Sequence, residues 1–312
     1  MVLRFFAVSK AIIEARNSLD GILNIDKPQG WTSHDVVAWI RRVLKVKRVG
    51  HAGTLDPLAT GVLLVCVGQA TRVSEYLMAS DKTYRAEVQL GTTTDTYDLD
   101  GEVTETRPLP PELDRGAIWQ ALGRFVGDIL QAPPAYSAIK QDGVPLHRRA
   151  RRGEVVRPAA RPVTIHSIQM IDWVPPCLTL DVTCEPGTYI RSLAHDLGQT
   201  LGCGGALSAL RRTRSGRFRV EDGLSPEGMA EVFRAGELSH YLHPISTALS
   251  ALTPTPVTDE QIKRLRNGQP IEGHAPNGHG GYALGEDGSV IAILRYDPKG
   301  EWWPEKVFAA GE

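Results

Sequence analysis

The sequence predicts an α+β protein in which a mixed, largely antiparallel central sheet is followed by a small β-rich module. Residues 62–67 form a continuous apolar run, and residues 82–90 alternate apolar and polar side chains, as strands do. Residues 36–44 and 113–125 repeat apolar residues at the spacing of a one-sided helix. Near the C-terminus, two alternating segments flank an Asp-Gly pair, which is typical of a β-hairpin.

The length of 312 residues suits one large domain and one small domain. We expect an N-terminal extension at 1–20, a larger domain at 21–250 and a C-terminal module at 251–312. The boundary follows a change in composition, because residues 252–257 are rich in Thr and Pro. Residues 258–261, Thr-Asp-Glu-Gln, then form a capping-box pattern that predicts a helix start.

Composition argues against several classes of protein. The 35 basic and 36 acidic residues give a net charge of −1, so a nucleic-acid partner must be held by local basic patches. The four cysteines show no Cys-x-x-Cys spacing, and neither a metal site nor a disulfide framework is expected. No apolar run approaches the length of a membrane span, and the N-terminus lacks the continuous apolar core of a signal peptide. We expect a soluble, cytoplasmic protein.

The clearest chemical signal is the polar loop at 50–61, Gly-His-Ala-Gly-Thr-Leu-Asp-Pro-Leu-Ala-Thr-Gly. Its glycines permit tight turns, and Pro57 pushes Asp56 into an extended conformation, which would hold one carboxylate in a defined direction. Spacing alone favours another interpretation, since Asp followed by Pro is also typical of a helix start. The loop could also cradle a phosphate, although no Gly-Lys-Ser/Thr follows.

The complete twelve-residue string resembles the catalytic motif of the TruB family, the bacterial tRNA pseudouridine-55 synthases. The resemblance implies a pseudouridine-synthase fold in which Asp56 is the essential catalytic residue. Lys-Pro-Gln-Gly-Trp-Thr-Ser at 27–33 resembles the opening motif of the same family. The basic residues between Arg41 and Arg48 form either a solvated helix face or, beside this site, a phosphate contact.

The resemblance also assigns three residues to the substrate. Tyr84 alternates with apolar residues, and periodicity alone favours a place in the core. Lys-Thr-Tyr at 82–84 matches the family motif whose Tyr stacks on the target uracil. His51 taken alone is typical of a structural loop histidine, but its place in the motif implies that it helps to hold the opened RNA loop. Leu210 is expected to line the pocket by the same analogy.

Arg191 lies at the start of a predicted apolar helix. From the sequence it is either a buried arginine that needs an anionic partner or a surface arginine whose stem covers apolar atoms. Gly-Thr-Tyr-Ile-Arg-Ser at 187–192 resembles the family motif in which this Arg pairs with the catalytic Asp, here Asp56. Tyr189 in the same motif is expected to contact the substrate.

Residues 131–161 form a basic segment in which seven Lys and Arg residues face two acidic ones, a local balance of +5. The excess of arginine favours phosphate binding over a merely solvated loop. Tyr-Ser-Ala-Ile-Lys-Gln-Asp-Gly at 136–143 resembles the signature of the thumb-like insertion that enters the RNA fold in the family. His147 departs from the Tyr expected there, which leaves that contact open. The predicted RNA-backbone contacts are Lys140, Arg148, Arg149, Arg151 and Arg152.

Pseudouridine formation breaks the C1′–N1 bond of uridine and rejoins the uracil through C5, so this isomerisation needs no cofactor. Asp56 would act as a nucleophile or as the base that removes a sugar proton, and the sequence leaves both open. An ordinary glycoside hydrolase would use a pair of carboxylates. The implied partner is the T-arm of tRNA, and no obligate protein partner is expected.

Three other functions fit the sequence less well. A guide-RNA-dependent relative is disfavoured by the thumb and by the lack of a long basic tail. An RNA chaperone with a dispensable Asp56 is disfavoured because Tyr84 and Arg191 are also in place. A phosphate-binding enzyme would explain neither the thumb nor the basic clusters. The C-terminal module resembles, more weakly, the PUA-type RNA-binding domains appended to these synthases.

Overall fold

A computed structural model of the chain describes residues 19–137, 139–141, 143–146, 149, 152, 154, 156, 158–273 and 280–309. Most of the expected N-terminal extension, residues 1–18, lies outside the described residues. Of the predicted RNA contacts, Arg148, Arg151 and the side chain of Lys140 also lie outside them, as does His147.

The described residues form the following strands and helices, given in chain order. The strands are β1 (Gly21–Lys27), β2 (Val49–Ala52), β3 (Thr60–Val67), β4 (Lys82–Leu90), β5 (Thr92–Thr94), β6 (Val103–Thr106), β7 (Gly127–Gln131), β8 (Lys140–Gln141), β9 (Val144–Pro145), β10 (Arg161–Val174), β11 (Cys177–Cys184), β12 (Gly205–Ser215), β13 (Phe218–Arg219), β14 (Thr253–Pro256), β15 (Ile271–Glu272), β16 (Gly280–Leu284), β17 (Val290–Tyr296) and β18 (Glu301–Val307). The helices are α1 (Ser33–Leu44), α2 (Ser74–Met78), α3 (Arg115–Leu122), α4 (Ile190–Thr200), α5 (Pro226–Ala235) and α6 (Asp259–Arg266).

The larger sheet of the described residues has nine strands in the order β1-β3-β12-β4-β11-β10-β7, with β2 beside β3 and β13 beside β12. Neighbouring strands are antiparallel except for β3 and β12, which are parallel. The predicted α+β fold with a mixed, largely antiparallel sheet is therefore confirmed.

Gly61 shows why the parallel pair needs a glycine. Its φ is +97°, and a Cβ atom there would lie 2.2 Å from the backbone oxygen of Arg212, its partner on β12. We expect Gly61→Ala to destabilise the fold by about 2–4 kcal/mol, since backbone strain and a backbone clash add together. Thermal unfolding beside Gly123→Ala, where nothing lies within 4 Å, provides the check. Equal stability of the two variants would contradict the prediction.

Helices α1 and α4 pack in one apolar cluster on the larger sheet and bring their N-termini to one cleft. Helix α1 begins with a capping box, because the Thr32 hydroxyl accepts from Asp35 N while the Asp35 carboxylate accepts from Thr32 N. Helix α4 buries one face, including Leu193 and Leu197. Thr32 and Arg191, at the two helix starts, both line the cleft.

The C-terminal residues form a second, five-stranded sheet in the order β14-β16-β17-β18-β15. Its β16–β17 hairpin turns at the predicted Asp-Gly pair, and Trp302 on β18 is fully buried. The sheet contacts the larger one, because Ile293 and Phe308 share an apolar cluster with Ile22 and Leu64. The C-terminal β-rich module is thus confirmed, whereas its boundary and its PUA-like nature stay predictions. Among the described residues, none of the helices has both the length and the apolarity needed to cross a membrane.

Candidate active site

A cleft of about 700 Å³ opens where the Asp56 loop meets the starts of α1 and α4. Five of the residues predicted from the sequence line it, namely Asp56, Tyr84, Tyr189, Arg191 and Leu210. The loop is shorter than predicted, because His51 belongs to strand β2 and Gly61 to strand β3.

Arg191 fixes the direction of the Asp56 carboxylate. Its Nε lies 3.0 Å from Asp56 Oδ2, and its side chain is only 7% exposed. The remaining edges of the guanidinium are also occupied: Nη1 donates to Thr96 O (3.1 Å) and to Asp98 Oδ2 (3.3 Å), and Nη2 donates to Tyr136 O (3.0 Å). Of the two alternatives that the sequence left open, Arg191 is therefore the buried, paired arginine. Because hydrogen bonds hold both Nη1 and Nη2 of the planar guanidinium, the direction from which Nε approaches Asp56 is set.

The Asp56 carboxylate faces the cleft with 42% of its side chain exposed. Partial burial raises its pKa above the ordinary value, and the positive charge of Arg191 works in the opposite direction. The negative charge of Asp98 adds to the upward shift, whereas Lys27 lowers the pKa. The site thus holds an accessible carboxylate whose ionised form depends on two neighbouring cations.

Two residues of the opening motif clamp the backbone around Asp56. The Ser33 hydroxyl accepts from Leu55 N (2.9 Å) and donates to Leu55 O (3.1 Å). Buried Lys27 donates to the carbonyl oxygens of Trp31 (2.6 Å) and Pro57 (3.4 Å), and its burial lowers its pKa to about 8. Both residues belong to the Lys-Pro-Gln-Gly-Trp-Thr-Ser motif at 27–33. The motif alone did not predict that they hold the backbone beside Asp56.

Asp98 is a second carboxylate near the site, and nothing in the sequence marks it. It lies in a Thr- and Asp-rich segment with the composition of a surface loop, yet it is only 6% exposed. Thr96 Oγ1 donates to its Oδ1 at 2.6 Å. Its Oδ2 lies 3.3 Å from Arg191 Nη1, so Asp56 and Asp98 pair with the same guanidinium.

Tyr84 and Arg212 form part of the cleft wall. Tyr84 is half-buried on β4, and burial raises its pKa, with a hydrogen bond from Arg212 opposing the shift. Arg212 is 1% exposed and donates to Val62 O (2.6 Å) and Gly53 O (3.1 Å). Its neighbour Arg211 instead pairs with Asp26. Successive residues of a strand point to opposite faces, so Arg211 and Arg212 have different surroundings although they are adjacent in a basic cluster of the sequence.

Tyr189 is the N-cap residue of α4. Its backbone is held at both ends by the Gln131 side chain, which accepts from Tyr189 N (2.7 Å) and donates to Tyr189 O (3.1 Å). Burial raises the pKa of its hydroxyl, opposed by a hydrogen bond with Ser137. Two residues of the basic segment therefore hold Tyr189: Gln131 binds its backbone, and Ser137 binds its hydroxyl.

His51 lies apart from the residues that line the cleft. Its ring packs edge-on against His34 on α1 with centroids 5.3 Å apart, and burial lowers its pKa. In the basic segment, Ser137 lines the cleft, whereas Arg149 forms an ion pair with Glu154 (2.7 Å). Arg152 is exposed. The predicted RNA contacts that the structure describes lie outside the lining of the cleft.

Comparison with known sequences identifies two matching domains. The profile of "TruB family pseudouridylate synthase (N terminal domain)" matches residues 41–190, and that of "tRNA pseudouridylate synthase B C-terminal domain" matches residues 191–250. The tRNA pseudouridine synthase B of Dehalococcoides mccartyi is 43% identical over 291 residues, covering 93% of this chain and 97% of that protein. The enzyme of the same name from Opitutus terrae is 45% identical over 241 residues, covering 77% and 99%.

Solved structures give the same result for the fold. A Cbf5-Nop10-Gar1 complex contains a chain that superimposes with a TM-score of 0.73 at 27% identity, covering 96% of this chain and 87% of that one. An H/ACA RNP bound to a substrate RNA containing 2′-deoxyuridine contains another, with a TM-score of 0.71 at 25% identity and coverage of 96% and 88%.

Proposed function

The chain belongs to the TruB family, the bacterial tRNA pseudouridine synthases, and from that premise we propose that it isomerises uridine-55 in the T-loop of tRNA, with Asp56 as the catalytic carboxylate. The enzyme is a pseudouridine synthase, an isomerase of tRNA processing. The observation that carries the finer proposal is the Asp56–Arg191 ion pair, which presents one oriented carboxylate to an open cleft.

The target uridine must leave its stack to reach this carboxylate, at a cost of a few kcal/mol. Tyr84 and Tyr189 line the cleft from two separate elements, β4 and the start of α4, and we assign Tyr84 to stacking on the extruded uracil. Leu210 supplies apolar wall to the same cleft. The base is thereby held while its bond to the sugar is broken and remade.

Asp56 starts the reaction in one of two ways. As a nucleophile it attacks C1′ while the C1′–N1 electron pair leaves with the uracil. As a base it removes the C2′ proton while the same bond breaks. The uracil then turns. In the nucleophilic route C5 displaces the Asp56 oxygen from C1′, and in the base route C5 bonds to C1′ while the proton returns from Asp56 to C2′. In both, the C5 proton is lost and N1 gains one. No atom of the nucleotide is lost overall and no oxidation state changes, so the product is an isomer.

The proposal is tested by mapping pseudouridine in an unmodified tRNA transcript. Transcripts carrying 5-³H-uridine release tritium when C5 forms its new bond. We expect tritium release from the wild-type transcript and none from a matched transcript with cytidine in place of uridine-55. Release from both transcripts would show that the enzyme modifies another position.

We also propose that residues 131–161 form a thumb that holds the T-arm. Support comes from Tyr136 and Ser137, which bring the start of this segment to the cleft, and from its local charge of +5. We propose further that the module at 251–312 is a PUA-like domain that contacts the same tRNA. The named relatives are tRNA pseudouridine synthases. We infer that this chain works on tRNA without guide RNA or an obligate protein partner.

Charge reversal in the thumb is expected to weaken tRNA binding and to flatten its salt dependence. The triple change of Arg149, Arg151 and Arg152 to Glu should reduce the slope of log K against log salt by roughly one unit for each phosphate that is no longer neutralised. Filter binding at several salt concentrations measures the slope, and Arg234→Glu on α5 serves as a single charge reversal outside the thumb. An unchanged slope in the triple variant would remove the thumb assignment.

A further inference from the structure

The turn at 94–98 carries two acceptors of the Arg191 guanidinium, namely Thr96 O and the Asp98 carboxylate. The turn is closed by its own hydroxyl groups, because Thr94 Oγ1 donates to Asp98 O and Thr96 Oγ1 donates to Asp98 Oδ1, each at 2.6 Å. Its acceptors therefore move as one unit. The position of this unit against α4 decides where Arg191 can point.

Tyr97, inside this turn, has a φ of +66°, one of only two positive values among the described residues other than glycine. A bulky aromatic residue is strained in this left-handed region, where glycine or asparagine is at ease. Such strain persists only where surrounding contacts hold the residue in place. The backbone here is held to β12, because Leu207 N donates to Tyr97 O and Leu99 N donates to Leu207 O, each at 2.9 Å. The Tyr97 ring adds a contact on the α4 side.

The Tyr97 ring stacks face to face on His195, with centroids 3.9 Å apart and planes 15° apart. His195 is four residues after Arg191 on α4, so the two side chains lie on the same helix face. Its buried Nδ1 has no hydrogen-bond partner among the residues that the structure describes. Packing against Tyr97, and not a hydrogen bond from that nitrogen, therefore orients the imidazole.

We propose that Tyr97 and His195 are a pair of positioning residues, whose stack presses the turn at 94–98 onto α4 and so keeps its acceptors on Arg191. Arg191 in turn holds Asp56 in its reactive direction. Neither ring is among the residues that line the cleft, so the pair acts without touching the substrate. This inference rests on the proposed function, because it concerns the same carboxylate.

The test distinguishes the effect of losing the Tyr97 ring from the effect of relieving its backbone strain. Tyr97→Gly relieves the strain and removes the stack, whereas Tyr97→Phe keeps the stack. His195→Ala and His195→Phe repeat the comparison from α4. We expect the Gly and Ala variants to lose about 10- to 100-fold in kcat with KM little changed, since a small misplacement of a reacting group is enough. The two Phe variants should restore most of the rate.

Rates are measured with the full-length enzyme on a tRNA transcript, well below the Tm of each variant. Tyr241→Gly, at an exposed tyrosine far along the chain, controls for a generic tyrosine-to-glycine change. A full kcat in Tyr97→Gly, or equal losses in Gly and Phe variants, would overturn the positioning role. Absence of pseudouridine at the T-loop uridine with the wild-type enzyme would instead overturn the proposed function, so the two failures are distinct.

Discussion

Asp56→Asn is expected to abolish pseudouridine formation, by about 10⁴-fold or more, while tRNA binding is retained. An amide is neither a nucleophile toward C1′ nor a base toward the C2′ proton, so both routes are closed. The substitution keeps the shape of the side chain, and the loop stays clamped by Ser33 and Lys27. Tritium release and filter binding on the same preparation separate turnover from binding.

Asp181→Asn is the matched control for this experiment. Asp181 pairs with Arg85, which follows Tyr84 on β4 and therefore points to the opposite face of the sheet. It should behave as the wild type in both assays. Loss of tRNA binding in Asp56→Asn as large as the loss of turnover would show that Asp56 is structural. Turnover within about tenfold of the wild type would exclude it as the catalytic carboxylate.

Arg191→Gln has the second-largest expected effect, a loss of about 10²- to 10³-fold in kcat together with a shift of the pH profile. Burial already raises the pKa of Asp56, and Arg191 lowers it. Removing the cation therefore raises that pKa further. In the proposed mechanism the ionised carboxylate is the active form, so the acidic limb of the rate profile should move to higher pH.

Arg191→Lys distinguishes charge from geometry. Lysine keeps a positive charge but cannot reach Asp56, Asp98, Thr96 O and Tyr136 O together, as the guanidinium does. We expect its acidic limb to stay close to that of the wild type while kcat still falls. Single-turnover rates across acidic and neutral pH give both quantities. An acidic limb that stays in place in Arg191→Gln would contradict the role assigned to the arginine charge.

Elements that depend on neighbouring residues were predicted well from the sequence. The alternation at 82–90 coincides with β4, Lys82–Leu90, and the Asp-Gly pair lies at the turn of the β16–β17 hairpin. Helix α3 is shorter than the predicted 113–125, since its last turn, Gly123–Phe125, tightens into a 3₁₀ helix. Periodicity reports which face of an element is buried, and it is a property of the local chain.

The sequence by itself determined the fold class, the loop that carries Asp56 and, through family motifs, the candidate partner in Arg191. Only the tertiary structure decided that Arg191 is buried, that Asp98 reaches it from a turn 93 residues away, and that Lys27 holds the carbonyl of Pro57. It also showed that the rings of Tyr97 and His195 stack on each other. Hydrogen bonds and ion pairs between distant segments form only when the sheet order brings them together, and no local pattern records that order.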